Sequence, residues 1–156
     1  MSYQLFNVFD KYNKVDILVS DILELLHSGT DEKAIVFSQW KEMFHLISSA
    51  FLKNSIRFEV CQSKADFSSK GALSRFKHDS SVRVLILLLS HGSHGITITE
   101  ASHVFLLEPI MNFQQEAQAV NRVHRIGQTR PTVVHKYIVN NTIEKRIHNM
   151  TEGMYT

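Results

Sequence analysis

Apolar runs of strand length alternate along this chain with stretches in which apolar positions recur every three or four residues. The runs Ala34–Phe37, Phe58–Cys61, Val82–Leu88, His103–Leu107 and Val133–Val139 read as strands, and Trp40–Lys53, Phe67–Lys77, Phe113–His124 and Thr142–Met150 read as the helices among them. This alternation predicts an α/β domain in which helices cover a mostly parallel sheet, because parallel neighbours need crossover connections. Within Val82–Leu88 six of seven residues are aliphatic, which marks a central strand buried on both faces. Ahead of the first strand, Val15, Leu18, Val19, Ile22, Leu23 and Leu26 fall on one face of a helix that Gly29 stops. Residues 1–12 and 151–156 carry no such pattern and are expected to be frayed ends of a folded unit spanning 13–150.

Composition narrows the class. At 156 residues and 44% hydrophobic content, the chain suits one domain with a sizeable core. Its single cysteine, Cys61, excludes an internal disulfide and leaves no CxxC pair for zinc, which fits a reducing compartment, nucleus or cytoplasm. There is no N-terminal signal pattern, and the longest apolar run, Val84–Leu89, is too short to span a bilayer, so no membrane partner is expected. The net charge of +2 hides an asymmetry: residues 1–116 carry 11 Lys and Arg against 13 Asp and Glu, and residues 117–156 carry 6 against 2. A phosphate-bearing partner is therefore expected at the basic C-terminal third.

The densest chemistry lies in QAVNRVHRIGQTR, residues 118–130. On a helix, Arg122 and Arg125 stand three apart on one face and converge on a polyanion, whose oxygens a guanidinium fork matches bidentately. Gly127 is expected to stop that helix and Pro131 to prevent its resumption. In an open parallel sheet ligands bind outside the carboxyl ends of the strands, so the loops after the first and central strands matter next. Ser38 and Thr99 offer hydroxyls to phosphate, and Gly92 and Gly95 permit positive φ and close approach by a ligand. His91 and His94 form an H-x-x-H, but zinc needs three or four ligands and Cys61 is the only thiolate, so they read as loop histidines near phosphate, with no metal site. Trp40, Phe44 and Phe51 read as core packing. The chain has neither a G-x-x-x-x-G-K-[ST] loop nor an Asp-Glu box after a strand, so nothing in it wraps a nucleotide's phosphates or holds Mg²⁺.

Five segments occur in an order that resembles the second motor lobe of Snf-type superfamily-two helicases, the ATPases of chromatin remodellers. They are KAIVFSQW (33–40), SHGSHGITITEAS (90–102), HVFLLEP (103–109), the arginine run and TIEKRI (142–147). Glu108-Pro109-Ile110, Asn112, Glu116 and RPTVVHKY make the SHPRH-type remodeller ubiquitin ligases the nearest likeness. The resemblance implies a three-layer RecA-like domain that is one lobe of an ATP-dependent DNA translocase. It further implies that Arg122 and Arg125 are arginine fingers for ATP and Mg²⁺ held mainly on a separate first lobe, with Gln118, Gly92 and Gly95 on the nucleotide side. Ser38, Ser63, Thr99, His91 and His94 take nucleic-acid-contacting places. The partners implied are that first lobe, duplex DNA or chromatin, and ubiquitin-pathway proteins for the SHPRH type, all in the nucleus. This chain alone is expected to hydrolyse no ATP.

The departures from the family pattern fall in loops. Val60-Cys61-Gln62-Ser63 replaces Leu-Asp-Gly-Ser, Ser69 stands where an arginine is usual, and His91, Ser93, His94 and Thr97 replace alanine, glycine, a hydrophobe and asparagine. They favour the alternative of a degenerate lobe serving as a DNA- or chromatin-docking scaffold within a RING-type ligase. An unrelated nucleotide-binding domain is the third possibility, but Ser38-Gln39-Trp40 is not the Gly-rich loop it requires.

Overall fold

The computed structural model describes residues 1–8, 11–93 and 95–153. Six strands, β1 (Ser2–Val8), β2 (Lys33–Ser38), β3 (Phe58–Cys61), β4 (Val84–Leu88), β5 (Ala101–Leu106) and β6 (Val133–Val139), form one parallel sheet in the order β1-β6-β5-β2-β4-β3. The helices are α1 (Lys11–Leu26), α2 (Lys41–Lys53), α3 (Ala72–His78), α4 (Phe113–Val120) and α5 (Ile143–Gly153).

Strand side chains alternate between two cores, which explains why β2 and β4 are apolar at nearly every position. Ile35, Phe37, Leu85, Leu87, Val104 and Leu106 pack with Leu73 and Phe76 of α3 and Ala119 and Val120 of α4. Ala34, Val36, Val84, Ile86, Phe105 and Tyr137 pack on the other face with Leu18 and Ile22 of α1 and Phe44, Ile47 and Phe51 of α2. Three layers result, as the alternation predicted.

The β4-to-β5 connection crosses β2 without an α-helix. It leaves β4 through a 3-10 turn at Leu89–Ser93 that packs on α4, and it enters β5 at Ala101 with Ile98 wholly buried in the α3/α4-side core. The Gly-rich segment therefore runs from the carboxyl edge of the sheet to its amino edge.

Three elements here differ from the sequence expectation. The N-terminus, expected to be frayed, contains β1, which pairs with β6 in register from Ser2↔Val133 to Val8↔Val139. Without β1, the ladder groups on that side of β6 would be left unpaired, which is the driving force for pairing. At the other end α5 takes in residues 151–153, and 154–156 lie outside the described residues. Helix α3 starts at Ala72 and not near Phe67, because Lys64–Phe67 forms a 3-10 turn against which Gly71 packs. A Cβ on Gly71 would lie 2.4 Å from the Asp66 carbonyl oxygen, so the turn and α3 meet only at glycine.

Candidate functional site

Asn112 caps α4 by accepting the Gln114 N–H at 2.9 Å, and the helix ends at Val120. Arg122 and Arg125 therefore do not share a helical face, contrary to expectation. They ride on successive tight turns, with Arg122 N–H donating to Ala119 O at 3.2 Å, Val123 N–H to Val120 O at 3.0 Å and Gln128 N–H to Arg125 O at 2.9 Å. The i→i−4 pattern carries only as far as His124, whose N–H donates to Val120 O at 2.9 Å. The turns that follow are held from elsewhere in the chain: Ile98 N–H donates to Arg122 O at 2.8 Å, and the Gln128 side chain donates to Val123 O at 3.2 Å and Ala101 O at 2.6 Å. Gly127, at φ +102°, closes the turns and does not end the helix.

These bonds place the arginines at the amino edge of the sheet, since Ala101 is the first residue of β5 and Arg130 pairs with Asp31 just ahead of β2. Arg125 is exposed, and its Nη1 donates to Thr97 Oγ1 at 2.9 Å. Arg122 is half-buried, and its Nε is sealed from solvent with no hydrogen-bond partner. Burial, and after it the neighbouring Arg125 charge, depress the Arg122 guanidinium below its ordinary range. Among the described residues neither forms a salt bridge, whereas Arg130 pairs with Asp31 and Lys136 pairs with Glu116 at 2.5 Å. Gln118 is exposed on the last turn of α4, four residues before Arg122, and Thr99 is half-buried in the turn entering β5.

Ser38, Ser63 and the turn holding His91 and Gly92 lie at the carboxyl ends of β2, β3 and β4. Ser38 ends β2, only 1% exposed, and its hydroxyl donates to Glu108 Oε1 at 2.8 Å while accepting from Trp40 N–H at 3.1 Å. Burial raises the Glu108 carboxyl, and the donors Gln39 N–H and Ser38 Oγ partly offset the rise. Ser63 is exposed but likewise committed: its N–H and Oγ donate to Asp66 Oδ2 at 2.7 and 2.9 Å. Burial pushes the Asp66 carboxyl up, but these donors and the Gln62 N–H outweigh it and hold the group below its usual range. Gly92 lies in the 3-10 turn, Gly95 takes φ +71°, and His91 meets the Phe67 ring edge-on at 5.9 Å. His94 lies outside the described residues.

Three sequence readings change. Trp40 is 57% exposed while Phe44 and Phe51 are buried, because Trp40 is the extended N-cap residue of α2 and precedes its buried face. Cys61 points into the α3-side core, its thiol pushed up to about 12 by burial, so this departure from the family pattern alters packing and not a loop contact. Thr97, set aside as a loop departure, touches Arg125, a contact that no local pattern signals.

Comparison with known proteins places this geometry. Residues 13–127 match the family model described as helicase conserved C-terminal domain. The chain is 42% identical over 137 residues to the E3 ubiquitin-protein ligase SHPRH of Homo sapiens and of Mus musculus, covering 88% of this chain and 8% of each relative. It is 35% identical over 142 residues to the DNA repair protein rad8 of Schizosaccharomyces pombe, covering 89% of this chain and 12% of that protein. The chain thus spans about a tenth of these relatives. In structure it is similar to the C-terminal part of the Fun30 ATPase domain, with a TM-score of 0.79 at 23% identity over 88% of this chain and 44% of that one.

Proposed function

This chain belongs to the helicase conserved C-terminal domain family, and from that premise we propose that it is the second motor lobe of an ATP-dependent DNA translocase of the Snf type. Its fold is the parallel three-layer α/β fold of RecA-like lobes. The observation that carries the proposal is the pair Arg122 and Arg125, two neighbouring guanidinium groups with no carboxylate partner among the described residues, one of them with a sealed and unpartnered Nε. Such a pair is stabilised by an anion arriving from outside, and forked N–H groups suit phosphate oxygens. When a first lobe presents ATP and its Mg²⁺, the arginines neutralise charge on the transferring phosphoryl group, a role worth about 10³–10⁵ in rate. Opening and closing of the cleft then move the lobes along duplex DNA or chromatin in the nucleus, and in the SHPRH-like setting ubiquitin-pathway proteins are further partners.

The test is steady-state ATPase at saturating DNA in a protein carrying both lobes. Arg125→Lys and Arg122→Lys should each lower kcat far more than they raise KM for ATP, with the double variant little worse than either, because a pair acting as a unit is not additive. Arg146→Lys, an exposed position on α5, is the control. Near wild-type kcat in both arginine variants would remove the finger role.

A second reading, a docking scaffold without turnover, is favoured by one observation. Ser38 and Ser63 spend their hydroxyls on Glu108 and Asp66, so the two serines expected on the nucleic-acid backbone are engaged within the chain.

A further inference from the structure

Thr97 stands between two cations. Its hydroxyl accepts from Arg125 Nη1 at 2.9 Å, and its carbonyl accepts from Lys77 Nζ at 2.6 Å, with Lys77 also 3.9 Å from the Glu100 carboxylate. Lys77 belongs to the last turn of α3, so the backbone of Thr97 is anchored to a helix. The next residue, Ile98, is wholly buried and donates its N–H to the Arg122 carbonyl. Gly95, at φ +71°, lets the chain turn into this anchored stretch. Thr97 is β-branched, and a fixed backbone with restricted χ1 limits the directions its hydroxyl can take.

Arg125 is otherwise exposed, a long side chain that samples many rotamers unless something holds it. One Nη1 hydrogen bond to Thr97 restricts that freedom and leaves the other N–H donors of the guanidinium for phosphate. We propose that Thr97 is the positioning residue for Arg125, tethering the guanidinium in the orientation in which it meets the nucleotide, with Lys77 fixing Thr97 to α3. The proposal rests on the reading of Arg125 as a finger. A finger held before the substrate arrives loses less freedom on reaching the transition state, so the tether acts on kcat.

The test uses the two-lobed protein and two readouts. Thr97→Val keeps the shape and removes the hydroxyl, whereas Thr97→Ser keeps the hydroxyl. In protein labelled with ¹⁵N-arginine, the Arg125 guanidinium signal, assigned by its loss in Arg125→Ala, should show slowed rotation in wild type and Thr97→Ser and lose it in Thr97→Val. In ATPase assays Thr97→Val should lower kcat by about ten- to a hundredfold, the loss that fits one charge-assisted hydrogen bond, with KM for ATP within about twofold. Thr97→Ser should restore most of the rate, and Thr97→Val combined with Arg125→Ala should be no slower than Arg125→Ala. An unchanged Arg125 signal in Thr97→Val overturns the tether. A lost signal with wild-type kcat, while Arg125→Ala is crippled, overturns its catalytic use. Wild-type kcat in Arg125→Ala itself overturns the finger reading, and the proposal with it, so the two failures are told apart.

Discussion

Lys14→Met is expected to destabilise the lobe by about 3 kcal/mol, because one side chain closes three elements at the carboxyl edge. Lys14 sits on α1 with its side chain 3% exposed, and its Nζ donates to Leu107 O just past β5 and to both carboxylate oxygens of Glu144 on α5, at 2.9 and 2.8 Å. Removing one partner of a buried pair costs about 3–5 kcal/mol. Here Glu144 remains 22% exposed and keeps the Val139 N–H at 2.9 Å, which puts the carboxylate share at the low end, roughly 2 kcal/mol. The unpaired Leu107 carbonyl adds roughly 1 kcal/mol. Glu144→Gln should cost as much or more, since it leaves the less exposed Lys14 charge uncompensated. A urea double-mutant cycle measures the coupling, expected at about 2 kcal/mol, and the Lys14→Met melting temperature should fall by roughly 6–12 °C. Hydrogen exchange should show α5 opening before the sheet does. Single-variant losses below about 1 kcal/mol, or additivity within about 0.5 kcal/mol, would refute the reasoning.

Other perturbations test the remaining contacts. His103 Nδ1 and His135 Nε2 lie 3.0 Å apart in the sheet, and burial depresses both imidazoles, His135 to about 4. The unfolded chain binds protons below about pH 6.5, so roughly 3 kcal/mol present above that pH is lost as pH falls toward 4. His135→Phe should flatten the wild-type stability profile there, and a parallel profile would exclude this origin. Gly71→Ala should cost about 1–3 kcal/mol in urea unfolding, because its Cβ meets backbone atoms of the preceding turn and backbone yields poorly; unchanged stability would show that the turn gives way. The isolated chain should show no ATP turnover and only weak duplex binding, with a log–log salt slope no steeper than about −4, since Arg130 and Lys136 are already paired. Tight, salt-insensitive binding would point to base readout instead.

The chain's own pattern determined the layers. Phe58–Cys61 and Val133–Val139 form strands at the bounds their apolar character predicts, and α1 ends where Gly29 and its periodicity place it, because burial of a face is written into residues two to four apart. The pairing of β1 was not legible, since Leu5 and Phe6 break any alternation and nothing local says that an unpaired edge of β6 awaits the segment. Other features depended on partners far along the chain. The turns after α4 are held by Ile98 N–H on the Arg122 carbonyl and by the Gln128 side chain on the Val123 carbonyl. Ser38 turns inward to Glu108, 70 residues away, and Arg125 leans on Thr97, 28 residues before it. Trp40 lies outside the core because it is the extended N-cap ahead of the helix whose periodicity buries Phe44. The arginine run was conspicuous in the sequence as charge density, but its position at the amino edge came only from the fold. A hydrogen bond has a direction and a partner, and the partner's place is set by how layers pack, whereas apolar periodicity is set within a single turn or strand.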